Sequence, residues 1–513
     1  MVQAKITSEE SAQKWLETQP YQVRVWFAAR CVLRALPKLG ALPENSFDSL
    51  TPVFFRALLT ITAATTDSAS GTDKETAVDD YSSWRAATAL YSASGAIGNA
   101  ENENENTAMG LGRSAHFTLE MLGAAGEPAL QFYLATERAN RVPYSKTPHP
   151  PCDMSLFPSA YGASFAAAEH DAVSPGDWSP LWPNDTMPPG LAKLWDRMKR
   201  AMQAAPEKWG FWLEWYEAIL YGRPLPWALS QRIAASVTEA EWDAGPKVVA
   251  ARIEEIKATF LRDKAPLAET VELNVETGKF RVDPIPIENP ALLGAMIARA
   301  DDAIEDALLG QNGLRQDSHE IRVLRRANTQ YANDPQRIEM DYTSVAASLR
   351  RQIGDTHELA ESEDNLALLE AVQEGALAIR AQHPDVANNR NIIATQKMRE
   401  LGPEGAELLE DALPLLTNLS ESTMQQDFAQ DIPALINDAT QPLISGAPPL
   451  PGADEATRIF NRAAKMKLRF DQACETGARI FDSREFKTAR LGLTVSGLLS
   501  ALVSLGLWLF GVL

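Results

Sequence analysis

The last stretch of the chain, 491–513 (LGLTVSGLLSALVSLGLWLFGVL), holds no charged side chain. As a helix it reaches about 35 Å at 1.5 Å per residue, slightly more than a bilayer's hydrocarbon thickness. Core helices of globular proteins are seldom apolar on every side for so long. Arg484, Lys487 and Arg490 stand directly before it, and basic flanks favour the cytoplasmic side. The stretch predicts a single C-terminal transmembrane tail anchor with the body of the protein in the cytoplasm. Gly492, Ser496 and Ser500 share one side of that helix, with Gly497 and Ala501 beside them. Such a small-residue face allows close helix packing and points to a homo-oligomer through the tails.

The segment leading to this tail differs in charge from the rest. Residues 453–513 hold nine Lys/Arg against six Asp/Glu, while the whole chain is at −20, so the remainder carries −23. So acidic a body is repelled by phosphate backbones, which argues against nucleic acid as a partner. Within 453–490, Arg458, Arg462, Lys465 and Arg469 fall on one helical face, with Ile459, Met466 and Phe470 nearby. Together with Arg484, Lys487 and Arg490 they are expected to contact anionic headgroups, each cation contributing about 1 kcal/mol. The alternative is a solvated charged face, or one paired with the acidic body.

At 513 residues, 45% hydrophobic and 23% charged, the body should be packed and built from several folding units. Cys31, Cys152 and Cys474 are odd in number and form no CxxC pair, which points to a reducing compartment. The N-terminus shows no apolar signal segment.

Punctuation along the chain gives a mostly α fold: a multi-helical body, one small β-hairpin and the transmembrane helix. The segments expected are a helical region with polar loops over 1–140, a Pro-rich connector over 141–190 and a Trp-rich helical unit over 191–264. The hairpin follows at 265–288, an acidic helical domain at 289–440, a Pro/Gly linker at 441–452, the basic amphipathic helix at 453–490 and the tail at 491–513. In the first region, Val25, Ala28, Ala29, Leu33 and Leu36 can share an apolar face, whereas 65–83 and 99–107 (NAENENENT) lack apolar residues. Leu191, Leu194, Trp195, Met198 and Met202 form one helical stripe; Trp209, Phe211, Trp212, Trp215, Tyr216 and Ile219 form the next. Both read as packing faces. Period-two alternation at Val271, Leu273 and Val275, a Thr277–Gly278 turn, then Phe280 and Val282, mark the hairpin. Asn289–Pro290, Ser318 and Asp334–Pro335 open later helices.

No strong catalytic motif occurs. GxxxxGK[ST], GxSxG and HExxH are missing, and GLGRSA at 110–115 follows an Asn-rich loop instead of a strand. His149, Cys152 and Asp153, with His170, do not match a common zinc spacing. Asp301, Asp302, Glu305 and Asp306 read as a solvated acidic face. No catalytic residue, cofactor or metal is expected.

The strings WGFWLEWYEAILYGRPL, ETGKFRVDPIPIENPALL, NGLRQDSHEIRVLRRA and NDPQRIEMDY, all within 191–348, resemble uncharacterised proteins of alphaproteobacterial type. That resemblance implies a shared helical scaffold with an inserted hairpin, a bacterial setting and no assigned activity. With the tail, it places the chain at the inner membrane. The leading expectation is a membrane-anchored scaffold or adaptor that presents its helical body to protein partners. The alternatives are a membrane-acting effector of stress or phage defence whose tails oligomerise in the bilayer, and an enzyme with a site assembled from scattered residues.

Overall fold

The computed structural model describes scattered positions between 15 and 62, including 36–41, and residues 170–174, 177–182, 186–223, 227–274, 276–285, 287, 289–310, 312–395, 398–439, 453–475 and 489–512. The side chains at 489–494 and at a few other helix ends lie outside that set. Helix accounts for 77% of the described residues, in keeping with the mostly α expectation. The chain divides into two compact units, Met1–Ile256 and Lys257–Leu513.

In the first unit a 3-10 turn, Leu36–Ala41, precedes α1 (Pro189–Ala204), α2 (Pro206–Leu220), α3 (Trp227–Ser236), α4 (Glu239–Asp243) and the start of α5 (Pro246–Lys264). Proline opens α1, α2 and α5, where its missing N–H costs nothing. The aromatic stripes face inward as their spacing predicts, except that Leu194 and Phe211 are only half-buried. Leu191, Trp195, Met198 and Met202 are buried on α1, and Trp209, Trp212, Trp215, Tyr216 and Ile219 on α2. Phe55 stacks on Trp212 at 4.8 Å, Trp195 meets Tyr216 edge-on at 4.9 Å, and the Tyr216 hydroxyl donates to the Leu33 carbonyl at 3.1 Å. Gly40 allows the 3-10 turn to touch α1, since a Cβ there would lie 2.2 Å from the Leu194 carbonyl oxygen. Ala29, Leu33 and Leu36 are buried as expected; Val25 and Ala28 lie outside the described residues, as do the tracts 65–83 and 99–107 and most of the Pro-rich connector. Arg30 and Arg34 are buried too, sharing Asp171 at 3.0 and 2.7 Å.

The second unit begins with the end of α5, followed by the hairpin, β1 (Glu269–Asn274) and β2 (Lys279–Pro284), antiparallel with Val271 opposite Val282 and Leu273 opposite Phe280. Gly278 takes the left-handed conformation the turn needs, at φ +66°. Then come α6 (Pro290–Leu309), α7 (His319–Thr329), α8 (Pro335–Arg350), α9 (Glu363–Gln382), α10 (Pro384–Thr395), α11 (Pro403–Leu419), α12 (Ser422–Ala439), α13 (Ala453–Glu475) and α14 (Ala489–Leu509). Asn289 and Asp334 cap α6 and α8 through their side chains, at 3.3 and 2.9 Å. Ser318 makes no such bond to α7; its hydroxyl accepts instead from the Arg315 amide. Ile304 of α6, Leu324 of α7, Ile338 and Leu349 of α8 and Leu368 and Val372 of α9 meet in one core.

The tail is where the structure departs from the sequence reading. Among the described residues no helix is long and apolar enough to cross a membrane, so the transmembrane anchor, and with it the single-pass inner-membrane placement, is not supported. α14 is instead packed within its own unit. Val495, Leu499, Leu502, Val503 and Leu507 are fully buried, with Leu509 nearly so. A Cβ at Gly506 would stand 2.8 Å from Leu261 and 2.9 Å from Phe460, so that position needs a glycine for the helix to approach α5 and α13. Polar ties fix it further: Lys257 donates to the Ser504 hydroxyl at 2.8 Å and the Arg399 amide to the Leu509 carbonyl at 2.7 Å. Arg399 also lies 5.4 Å over the Trp508 ring. An all-apolar helix needs apolar surroundings, and here protein supplies them.

Burial of Trp212 sets a test of the first unit. Trp212→Ala is expected to cost about 3–5 kcal/mol in urea denaturation. A loss below about 0.5 kcal/mol would show that this side chain is not part of the core.

Candidate functional site

The chemistry of the second unit is concentrated around α13. Its sequence alternates apolar and basic positions, and the apolar set, Ala456, Ile459, Phe460, Ala463, Met466 and Phe470, is buried. Arg458 and Arg462 are nevertheless only 3% and 2% exposed. A guanidinium taken out of water must find carboxylates or carbonyls, and each of these does. Arg458 forms a bidentate pair with Asp431 at 2.8 and 2.9 Å. Arg462 grips Glu269 of β1 at 2.8 and 2.9 Å and reaches Asp427 of α12 at 2.7 Å. Arg390 of α10 joins Glu339 of α8 to Asp454 of α13, at 2.8 and 3.0 Å. Arg337 of α8 pairs with Asp341 at 3.0 Å and lies 4.7 Å over Tyr331, whose hydroxyl donates a short bond to Asp427. Its Nη1 stays 3.7 Å from Asp427 and 3.6 Å from Asp431, beyond hydrogen-bond reach.

The rest of the basic stripe serves the backbone. Ile285 donates to the Ala268 carbonyl, so the carbonyls of alternate residues 267, 269 and 271 point to the other edge of β1. Lys465 donates to Leu267 and Glu269 oxygens at 3.2 and 2.5 Å, and Arg469, one turn on, to Val271 at 3.2 Å. Asn461, one turn earlier, caps α5 by donating to the Arg262 and Ala265 carbonyls at 3.2 and 2.6 Å. Side chains at three-to-four-residue spacing thus follow the main chain from the end of α5 along β1.

These placements replace the predicted headgroup contact for Arg458, Arg462, Lys465 and Arg469: they are engaged inside the unit, as in the alternative reading of pairing with acidic residues. Arg484 and Lys487, together with the side chain of Arg490 and the surroundings of Gly492, lie outside the described residues. The small-residue face of α14 is not its packing face. Ser496, Ser500 and Ala501 are half-buried and Gly497 is exposed, with nothing within 4 Å of a Cβ built there. Of the other candidates, His149, Cys152 and Asp153 are outside the described residues and His170 is exposed. Among the described residues no group of three His, Cys, Asp or Glu is placed to hold a metal ion. Asp302, Glu305 and Asp306 are exposed on α6, and Asp301 accepts from Asn328 at 2.6 Å. Between α6 and the end of α9, Leu292, Met296, Ile379 and His383 line only a shallow surface depression with no room for a ligand.

No protein-family model, curated protein or solved structure matches this chain.

Burial alone drives the acids of this seam toward protonation, and their neighbours decide the outcome. For Glu269 and Asp431 the adjacent guanidinia win: Arg462 holds the first below the ordinary carboxylate range, and Arg458 with Arg337 holds the second at about 2. Asp334 goes the other way, raised to about 7 by burial and by the nearby Glu269. Burial likewise lowers Lys465 to about 8. Asp427 and Asp431 escaped the sequence reading. Their signal was their place, one turn apart on the apolar side of α12 set by Met424, Phe428, Ile432 and Leu435.

Replacing Arg462 by Met strands two buried carboxylates and is expected to destabilise the protein by about 3–5 kcal/mol in urea. Arg299→Met, which breaks only the exposed pair with Glu374, serves as the control at about 0–1 kcal/mol. Equal effects from the two would remove the case for a buried network.

Proposed function

We propose that this chain is a protein-binding scaffold whose second unit offers outer helical faces to partners, its buried seam serving to hold those faces rigid. The observation that carries this reading is the outer side of α9. Leu366 and Leu377, 42% and 60% exposed, stand about three turns apart on it, among Glu363, Glu370 and Glu374. On α6, Leu309 is 85% exposed beyond Glu305 and Asp306. Large apolar side chains left in water among charges are what a helix offers to a partner's apolar groove, with the carboxylates steering a basic rim. Single exposed leucines are ordinary; three within one unit, two of them on one helical side, give the reading its support.

The test is a combined Leu309→Gln, Leu366→Gln and Leu377→Gln variant. Its unfolding free energy should stay within about 0.5 kcal/mol of the parent, because none of the three is buried. Quantitative co-purification from the native cell should lose partners that the parent retains. An unchanged set of partners, in unchanged amounts, would overturn the assignment of the binding face.

A further inference from the structure

We propose that the seam joining α13 to β1 and to the start of α8 is a pH-responsive latch, in which Asp334, enclosed without a counter-ion of its own, weakens the hold on α13 when it gives up its proton. The argument begins with geometry. Asp334 is 6% exposed, and its carboxylate accepts a single bond, from the Arg337 amide at the N-terminus of α8. Among the described residues no cation lies within ion-pair distance of it, while every neighbouring acid has one. Glu269 holds Arg462, Asp431 holds Arg458, Asp341 holds Arg337, and Asp427 holds Arg462. The groups that face Asp334 come from all sides: Glu269 on β1, Arg337 on α8, and Arg462 and Lys465 on α13. Tyr331 precedes it in the tight turn, where the Asp334 amide donates to the Tyr331 carbonyl. Ionising it therefore adds a negative charge beside Glu269, in the place where α13 is fastened.

The direction follows from the shifts. Asp334, ordinarily at 3.8, titrates at about 7 in the folded chain, so the stability it contributes is present at low pH and is lost as pH rises through 7. Lys465, ordinarily at 10.5, titrates at about 8, so it restores stability only as pH rises above 8. Between them lies a window in which both groups are charged and the seam is at its weakest. From pH 6 to pH 8, Asp334 alone raises the opening constant of α13 about tenfold, and Lys465 offsets about twofold, leaving about fivefold.

Hydrogen exchange of the full chain at pH 6 and pH 8, corrected for intrinsic rates, reads this constant. Amides over 456–467 should lose about fivefold in protection, while those over 368–379 on α9 change less than about twofold. Asp334→Asn keeps the helix cap and should abolish the loss, and Asp334→Ser, a second neutral cap, guards against a folding defect in the first. Equal protection of 456–467 at both pH values overturns the latch, as does an undiminished loss in both variants. A parallel loss on α9 overturns it as well, since the opening would then be that of the whole unit.

Discussion

Two guanidinium groups brought out of water on α13 dictate the arrangement of the second unit. Arg458 and Arg462 cannot shed their charge, so each site around them must present carboxylates at hydrogen-bond distance. Asp431 and Asp427 come from α12 and Glu269 from β1, two elements far apart in the chain, while Asp341 of α8 faces Arg458 only at 3.9 Å, beyond hydrogen-bond reach. Apolar contacts tolerate a small slide of one helix on another, but a bidentate arginine does not. The network thus contributes less to net stability than to selecting one register of α13 among neighbours that could otherwise pack in several ways. Its incomplete satisfaction at Arg337 and at Nη1 of Arg458 marks where that selection leaves residual cost.

What the sequence made legible were features decided locally. Alternation at Val271, Leu273, Phe280 and Val282 implied the hairpin because a strand's period is set by its own pleat. Asn289–Pro290 and Asp334–Pro335 marked helix starts because a cap and its amide lie within one turn. The tryptophans of α2 advertised a packing face through their spacing alone. The C-terminal helices were misread because their environment is assembled from distant segments. Hydropathy records that α14 wants an apolar solvent, and it does not say whether lipid or the side chains of Leu261 and Phe460 provide it. A basic stripe records charge, and its partners Glu269 and Asp427 precede it in sequence by 193 and 35 positions. The acids were visible as such, but an aspartate on an apolar helical side becomes meaningful only once a buried cation is known to face it.

The first unit rests on different physics. Among its described residues the centre is aromatic, with Phe55, Trp195, Trp212 and Tyr216 in stacked and edge-on contacts, and the buried charges form the small cluster of Arg30, Arg34 and Asp171. Large rings bury much surface at little entropic cost, which suits helices as short as α3 and α4.

Lys465 and Arg469 lie over the open edge of β1, and this makes the order of synthesis matter. A bare strand edge is a template for pairing with any other extended chain. Here that edge is shielded by side chains from a helix nearly two hundred residues downstream. While the chain is being made, the hairpin leaves the ribosome well before its cover exists. Through that interval its outward carbonyls lack the cover that Lys465 and Arg469 provide in the folded chain, so the edge is protected by the arrival of α13 and not by the hairpin itself.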